Sequence, residues 1–304
     1  MRASSLAAVA SAATAAAALP SSASSSSETA SSVDWTIPAD LVSNPLFGAP
    51  EDDFTCRSAH NPVVLLHGLS ANRDVGLSGL VRHLSDLGFC AYSPTYGAHA
   101  LAPWVGGLRS MPDSAADLAD YIRAVRDRTG SDKVDVVGHS EGGVMALYVP
   151  LTQPGVAEIL GRTVSLGPAV HGAKYFGFTD LFYLGGEATR ALAALAFDLL
   201  GCPACDDMAT DGRVYDDFKA AGNNIVQPGV QATVVVSTSD ALVQPEYSLV
   251  DQPGVRSVVV QDLCPDDAVG HAGLASDRGI WDIVVNELTG DYGGDVGCVQ
   301  GLPF

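Results

Sequence analysis

One serine in this chain stands between glycines, in a pattern suited to nucleophilic chemistry. Ser140 lies in the stretch Gly-His-Ser-Glu-Gly-Gly at residues 138–143, directly after the apolar segment 133–137. In a G-x-S-x-G turn between a strand and a helix, the serine hydroxyl stands above a sheet and can attack an acyl carbonyl. The glycines are needed because so tight a turn leaves no room for side chains. In a chain with 32 glycines the pattern alone is weak.

A nucleophilic serine needs a histidine that takes its proton and a carboxylate that orients the histidine. Asp240 and His271 follow Ser140 in that order, and each lies just beyond a predicted strand. We therefore predict Ser140 as the nucleophile, His271 as the base and Asp240 as the acid. The alternatives for these two partners are His67, His83, His139, His171, Asp262, Asp266 and Asp267.

The alternatives fit these roles less well than His271 and Asp240. His139 is adjacent to the nucleophile, so its side chain should point elsewhere, and His67 belongs to a His-Gly pair of the kind that shapes an oxyanion loop. The other two histidines are more simply explained as structural residues. The carboxylates at 266–267 lie too close to His271 in sequence to come from a separate strand. Asp262 stays open as an acid.

The tetrahedral oxyanion of acyl transfer needs preorganised N–H donors. The residue after the nucleophile supplies one of them, and a loop after an earlier strand supplies the other. We therefore predict that the oxyanion hole consists of the backbone N–H groups of Glu141 and Leu69. No metal or cofactor is required by these residues.

Short apolar runs alternate with segments of helical spacing along the chain, which predicts a mostly parallel α/β sheet flanked by helices. A helix is also expected directly after the serine turn. We predict strands at 63–66, 89–93, 133–137, 162–166, 233–237 and 257–261, and further helices at 77–87, 113–129, 188–200 and 280–288.

Residues 170–229 interrupt this alternation. They contain Phe-Gly-Phe at 176–178 and an apolar helical segment at 188–200. Because they follow the end of a strand, where active-site loops collect, we interpret them as a small cap or lid, with an ordinary helical excursion as the alternative. The apolar segment would supply an acyl pocket or the lid itself.

The N-terminus resembles a targeting segment. Residues 1–23 hold one charge and an alanine-rich apolar run, which indicates a cleaved signal peptide, and the serine-rich residues 24–44 indicate a linker. The globular domain then covers residues 45–304. The net charge of −19 argues against nucleic acid or an anionic membrane as partner. We expect a secreted monomer without stable membrane insertion.

The chain has six cysteines, an even number that suits an oxidising compartment. The pair Cys202 and Cys205 could bind zinc or do redox chemistry, but no second pair stands at zinc-finger spacing, so we favour a structural disulfide. The other four are paired by the expected proximity of their segments. This predicts the disulfides Cys56–Cys90 and Cys264–Cys298.

Four stretches of the sequence resemble the secreted class 2 lipases of actinobacteria and fungi. They are the serine turn at 138–143, the segment VVLLHGLSANRD at 63–74, Cys-Pro-Ala-Cys at 202–205, and QDLCPDD…GH at 261–271. The resemblance extends from about residue 45 to residue 288. It implies an α/β-hydrolase fold, hydrolysis of carboxylic esters without a cofactor, and action outside the cell.

Two residues depart from the pattern of that family. Leu69 stands where such lipases often have threonine, so an additional side-chain donor to the oxyanion is absent. Glu141 stands where glutamine is common, which places a carboxyl group beside the developing oxyanion. Both departures bear on rate and substrate range more than on the type of reaction.

The sequence thus predicts a secreted serine hydrolase of lipid-like esters that works through an acyl-serine intermediate. A polyester depolymerase, an acyltransferase or a peptidase would use the same residues and is the alternative. A binding module on an inactive hydrolase scaffold would be expected to lack a member of the triad, and none is missing.

Overall fold

The computed structural model describes residues 51–172 and 187–303. The predicted signal peptide and linker, the first residues of the predicted domain and the Phe-Gly-Phe stretch at 176–178 lie outside the described residues. The fold and the candidate site below concern the two described ranges.

Six parallel strands form one sheet in the order β2-β1-β3-β4-β5-β6. All strands run in one direction, so their carboxyl ends share one edge, and this confirms the predicted α/β fold. The strands are β1 (Val63–Leu66), β2 (Ala91–Tyr92), β3 (Val134–His139), β4 (Leu160–Leu166), β5 (Gln231–Val236) and β6 (Val255–Val259).

β1 has the predicted bounds, and the ends of β3, β4 and β5 lie within two residues of the predicted ones. The two edge strands differ in ways that affect the loops beside them. β2 has only two residues, although five were expected at 89–93. β6 ends at Val259, and the chain then turns into the short helix Val260–Leu263, so Gln261 is not part of the strand. An edge strand pairs on one side only, so its apolar run can end in a turn without disrupting the central ladder.

Helices pack on both faces of the sheet. Successive side chains of β1 point to opposite faces of the sheet and so contribute to two hydrophobic clusters. Val64 and Leu66 lie in one cluster, and Val63 and Leu65 lie in the other. The helices are α1 (Ser78–Asp86), α2 (Met111–Thr129), α3 (Glu141–Thr152), α4 (Val156–Ile159), α5 (Glu187–Leu199), α6 (Pro203–Asp207), α7 (Arg213–Ala221), α8 (Pro245–Ser248), α9 (Val260–Leu263) and α10 (Arg278–Thr289).

The apolar side chains of each helix show which face of the sheet the helix covers. α1 and α10 bury theirs against the cluster that contains Leu65, and α2, α3 and α7 bury theirs against the cluster that contains Leu66. α3 is buried along most of its length, because it runs beneath the centre of the sheet directly from β3. The helix that carries the candidate nucleophile is therefore fixed by the core of the domain.

Three disulfides close loops at different places in the fold. They join Cys56 to Cys90, Cys202 to Cys205, and Cys264 to Cys298. The first ties the segment before β1 to the start of β2. The last brackets the loop after β6, and the middle one sits at the beginning of α6.

None of the helices in the described ranges is long and apolar enough to cross a membrane. Within the same ranges, no group of three or more His, Cys, Asp or Glu side chains is arranged to hold a metal ion.

Candidate active site

Ser140 stands at the turn between β3 and α3 in a strained backbone conformation. Its φ is 56° and its ψ is −121°, which is rare for a residue with a side chain. A Cβ on Gly138 would overlap the carbonyl of Gly142, and one on Gly142 would overlap the carbonyl of Leu66. The glycines on either side are thus required by close backbone approach, and the turn raises the serine hydroxyl above the sheet.

The structure brings Ser140, His271 and Asp240 together from three different loops. His271 Nε2 lies 2.9 Å from Ser140 Oγ, and His271 Nδ1 lies 2.7 Å from Asp240 Oδ2. A carboxylate can only accept, so Nδ1 carries the proton and Nε2 is left as the acceptor for the serine hydroxyl. This arrangement can take a proton from Ser140 and stabilise the imidazolium that results.

Asp240 is held in orientation by its own backbone neighbours. The N–H groups of Leu242 and Val243 donate to Oδ1 at 2.9 and 2.8 Å, which leaves Oδ2 for His271. The carboxylate and the imidazole are both buried, so their interaction is little screened by solvent. Three donors thus fix the orientation of this carboxylate.

A further set of hydrogen bonds connects the loop of Asp240 to the loop of His271. Ser237 Oγ donates to the carbonyl of Val269 at 2.6 Å, and Gln261 Nε2 lies 2.9 Å from Ser237 Oγ and 2.8 Å from the carbonyl of Asp267. Sequence reasoning missed Ser237 and Gln261, since both were assigned to strands. These contacts keep the two loops in register, so they position the acid against the base.

His139 supports His271 from the other side. Its Nε2–H donates to the carbonyl of His271 at 2.8 Å, and the two rings lie 4.9 Å apart. Burial, and then the nearby His271, lower the pKa of His139 to about 3. His139 is therefore neutral at ordinary pH and adds no positive charge beside the base. The link of His139 to His271 was not foreseen from the sequence.

His67 orients the peptide that contains the Leu69 N–H. His67 Nε2 accepts from the Tyr96 N–H at 3.2 Å, so the proton is on Nδ1, which donates to the carbonyl of Gly68 at 2.9 Å. In a trans peptide the C=O and the N–H point in opposite directions. The Leu69 N–H is thereby directed away from His67. Burial lowers the pKa of His67 to about 4, so it stays neutral.

Glu141, the other predicted source of an oxyanion donor, is the first residue of α3. The first N–H groups of a helix have no intrahelical acceptor and carry its positive dipole end. The Glu141 N–H therefore belongs to the helix end that is best suited to a developing negative charge. Its side chain points into the core and is fully buried.

An apolar cavity of about 380 Å³ opens beside Ser140 and His271. Its wall includes the loop of Leu69, which is brought next to the nucleophile. The remaining apolar lining consists of small and aliphatic side chains: Ala71, Val75, Leu77, Ala169, Met208, Leu242, Val243, Ala272 and Ala275.

The prediction that residues 188–200 supply an acyl pocket is wrong for this cavity. Met208 lines it, whereas α5 does not contribute to its wall among the described residues. The physical reason is that α5 packs through α6 against the beginning of α2, where Asp207 accepts from the Met111 N–H at 2.8 Å. Whether the 170–229 region acts as a lid stays a prediction.

The remaining alternatives lie apart from Ser140 or have other partners. His171 Nε2 binds the carbonyl of Leu249, and His83 packs against a tryptophan ring. Asp267 accepts from the Val269 N–H at 3.0 Å, and both Asp262 and Asp266 are exposed. None of these five makes a hydrogen bond with Ser140 or His271 in the described structure.

A parallel sheet with a serine elbow, and with acid and base on loops at the same edge, defines the class of α/β hydrolases. The family model for the alpha/beta hydrolase fold matches residues 61–244, more than half of the chain. The chain belongs to this family.

Two curated relatives are triacylglycerol lipases. That of Pseudomonas fragi is 23% identical over 137 residues, which are 44% of this chain and 43% of the relative. That of Pseudarthrobacter phenanthrenivorans is 25% identical over 129 residues, covering 41% of this chain and 38% of the relative. The chain thus spans about two fifths of the length of the curated relatives it matches.

Solved structures with the same fold include Aspergillus fumigatus lipase B, with a TM-score of 0.58 and 15% identity over 85% of this chain and 57% of that one. Bacillus licheniformis lipase BlEst2 in its mature form gives a TM-score of 0.55 and 15% identity over 79% of this chain and 96% of that one. At these identities the likeness establishes the fold.

Proposed function

We propose that this chain is a secreted serine hydrolase of carboxylic esters with lipid-like acyl groups. The observation that carries the proposal is the hydrogen-bonded series Ser140–His271–Asp240, at 2.9 and 2.7 Å, beside an apolar cavity. The likeness of part of the chain to triacylglycerol lipases supports the same reaction and substrate class. Membership of the class 2 lipases is part of the proposal and rests on the sequence stretches quoted above.

The first half of the reaction forms an acyl-serine. Ser140 Oγ attacks the ester carbonyl while His271 Nε2 takes its proton, and Asp240 stabilises the imidazolium. The N–H groups of Leu69 and Glu141 bind the oxyanion of the tetrahedral intermediate. The intermediate collapses when His271 returns the proton to the leaving alkoxide, which departs as an alcohol.

The second half releases the acid. A water molecule gives its proton to His271 and attacks the acyl carbonyl, and the same two N–H groups bind the second oxyanion. Collapse returns the proton to Ser140 Oγ and frees the carboxylic acid, so no redox partner or additional group enters the balance.

The lining of the cavity supports an uncharged, apolar acyl group. Met208, Leu242 and Val243 face the space beside the nucleophile, and burying a methylene there contributes about 0.8 kcal/mol. A charged acyl group would lose its hydration without gaining a partner. A graded series of p-nitrophenyl esters would report how many methylenes the cavity accepts.

Action outside the cell is supported by the three disulfides, which persist in oxidising compartments, and by the targeting character of residues 1–23. Mass determination of the protein recovered from the culture medium of an expressing bacterium would show whether the N-terminal segment is removed.

The catalytic proposal is tested by Ser140→Ala in the purified protein. Hydrolysis of p-nitrophenyl butyrate should fall to the background rate, and a fluorophosphonate should label the unaltered protein at Ser140. Ser85→Ala, on the surface turn of α1 away from the cavity, should keep both activities and serves as the control. Turnover retained by Ser140→Ala would overturn the assignment.

A further inference from the structure

The carboxyl group of Glu141 is buried next to the candidate nucleophile and has no use in the mechanism above. Its side chain is 0% exposed, and neither carboxyl oxygen receives a hydrogen bond from any residue that the structure describes. A carboxylate left in that state would lose its hydration without compensation, at a cost of several kcal/mol. A neutral carboxylic acid carries its own donor and does not incur this cost.

A second buried glutamate in the same chain has the donors that Glu141 lacks. The carboxyl of Glu287 is 3% exposed, but it accepts from Thr233 Oγ1 at 2.6 Å and from Arg256 Nε at 2.7 Å. Two such donors, one of them cationic, replace the hydration that the carboxyl group loses on burial. Glu141 has burial of the same degree and neither kind of donor.

The surroundings of Glu141 identify an acceptor for its proton. Tyr96 is the hydroxyl that faces the carboxyl, and its own proton is directed to the carbonyl of His67 at 2.9 Å. The hydroxyl oxygen keeps a lone pair that can accept. A methyl group on Gly107 would come within 2.5 Å of Glu141 Oε2, so the carboxyl is tightly enclosed.

We propose that Glu141 is a neutral carboxylic acid that donates to Tyr96 Oη and thereby begins a buried hydrogen-bond chain that positions the oxyanion loop. From Tyr96 the hydrogen bonds continue to His67. The Tyr96 hydroxyl donates to the His67 carbonyl, and the Tyr96 N–H donates to His67 Nε2. His67 Nδ1–H then donates to the carbonyl of Gly68. That carbonyl shares its peptide with the Leu69 N–H. Glu141 is thus a positioning residue, and this role rests on the proposed function of Leu69 as an oxyanion donor.

Ionisation of Glu141 would reverse the first links of the chain. A carboxylate accepts, so it would draw the Tyr96 proton away from the carbonyl of His67 and release the loop. The groups that face Glu141 act in different directions. The Tyr96 hydroxyl would stabilise a carboxylate, whereas burial, which outweighs it, and the negative charge of Asp207 on α6 oppose ionisation; His67 is neutral. Burial, and then Asp207, raise the pKa of Glu141 well above 4.5.

The protonation state is tested by infrared spectroscopy on three proteins. At pH 8 the unaltered protein should show the carbonyl band of a protonated carboxylic acid, and Glu141→Gln should lack it. Glu287→Gln is the matched control and should leave the band in place. A difference spectrum between the unaltered protein and Glu141→Gln without this band would overturn the proposal.

Stability gives an independent test of the same proton. Between pH 4.5 and the raised pKa of the folded protein, the acid keeps its proton only in the folded state, so its stabilising contribution is fully present below pH 4.5 and is lost as the pH rises above it. Relative to Glu141→Gln, the unfolding constant of the unaltered protein should rise about tenfold per pH unit above that value. Equal pH dependence of the two proteins would also overturn the proposal.

The positioning role is tested by comparing two replacements of Glu141. Glutamine can still donate to Tyr96 Oη, whereas leucine of similar size cannot. We expect kcat of Glu141→Leu to lie at least about tenfold below that of Glu141→Gln, with similar KM, because a misdirected oxyanion donor weakens the transition state. Equal kcat values would limit Glu141 to a packing role and contradict the proposal.

Tyr96→Phe tests the hydrogen-bond chain from Glu141 to Gly68 if Glu141→Leu does not fold. It removes the hydroxyl and keeps the ring, so kcat should fall while the acid band of Glu141 remains. Unchanged kcat in a folded Tyr96→Phe would contradict the proposal. Neither the infrared nor the stability result depends on ester hydrolysis, so a failure of Ser140 labelling would separately identify a failure of the proposed function.

Discussion

The loops at the carboxyl edge of the sheet and the helix α5 differ in which side chains they bury and which they expose to solvent. Around Ser140 the polar side chains are buried and almost every one has a partner, as Asp240, His271, His139 and His67 show. On α5 and just after it, apolar side chains are exposed instead: Leu192, Leu195, Leu199 and Leu200, at 64, 53, 77 and 81%.

The difference separates two requirements. Buried polar groups in a medium of low dielectric must satisfy one another, so a few bonds determine the geometry of the whole candidate site. Exposed leucines impose no geometry and lose no free energy when they are moved. The buried region can therefore determine the reaction, and the exposed region is free to vary with whatever surface the protein meets.

The largest effect is expected when the acid of the buried region is removed. Asp240→Asn should lower kcat for p-nitrophenyl butyrate about 10⁴-fold, because an amide N–H at Nδ1 favours the wrong tautomer of His271. Steady-state kinetics with circular dichroism to verify folding would measure this. The control is Asp262→Asn, the exposed acid that stayed open from the sequence, which should change kcat less than twofold. A larger loss of kcat in the control would mean that Asp240 has been assigned incorrectly as the acid.

The two neutral histidines of the buried region allow a prediction of how the free energy of unfolding depends on pH below 6.5. Burial lowers the pKa of His67 to about 4 and of His139 to about 3, below their ordinary value of 6.5. The unfolded chain therefore binds more protons below pH 6.5, and the free energy of unfolding should fall as the pH falls. Each histidine should contribute about 1.4 kcal/mol per pH unit.

Urea unfolding between pH 6.5 and 4.5 measures this slope. In His67→Gln the slope should decrease by the share of one histidine, whatever the stability at neutral pH. An unchanged slope would mean that His67 is not held neutral, and the orientation of the Gly68 carbonyl would need another explanation. No comparable slope is expected from the exposed leucines on and just after α5, which carry no titratable group.

The residue types and their order were sufficient to predict much of the fold and to nominate Ser140, Asp240 and His271. β1 is a continuous apolar run because both its faces are buried, and such runs are distinctive in a sequence. The serine turn is distinctive for a different reason, since two of its glycines meet backbone on adjacent segments. Strong local constraints of this kind leave a local signature.

The supporting contacts left no such signature. Gln261 follows an apolar run and was assigned to a strand, yet it connects two loops through Ser237 and the carbonyl of Asp267. Glu141 was identified as an unusual residue, but its lack of donors depends on Tyr96, 45 positions away, and on the course of the loop that contains Gly107. Such pairings arise from tertiary packing, which the spacing of single residues does not encode.

The smallest effect is expected on α5. Replacing Leu199 and Leu200 by serine should change the free energy of unfolding by no more than about 0.5 kcal/mol, because both side chains are exposed. Leu84→Ser, on the buried face of α1, is the matched control and should cost about 3 kcal/mol or more. Hydrolysis of the soluble butyrate ester by the double variant should stay within twofold, since neither leucine lines the cavity.

The same double variant can be assayed on emulsified triacylglycerol, and this assay sharpens the comparison. Burial of an exposed leucine contributes about 1.5 kcal/mol or more, so the loss of two should reduce turnover severalfold if α5 meets the lipid surface. If the double variant and the unaltered protein hydrolyse the emulsion equally fast, as they should the soluble ester, the exposed leucines have no part in substrate contact. A stability loss comparable to that of Leu84→Ser would instead mean that Leu199 and Leu200 are covered in solution, and the contrast between the two regions would not hold.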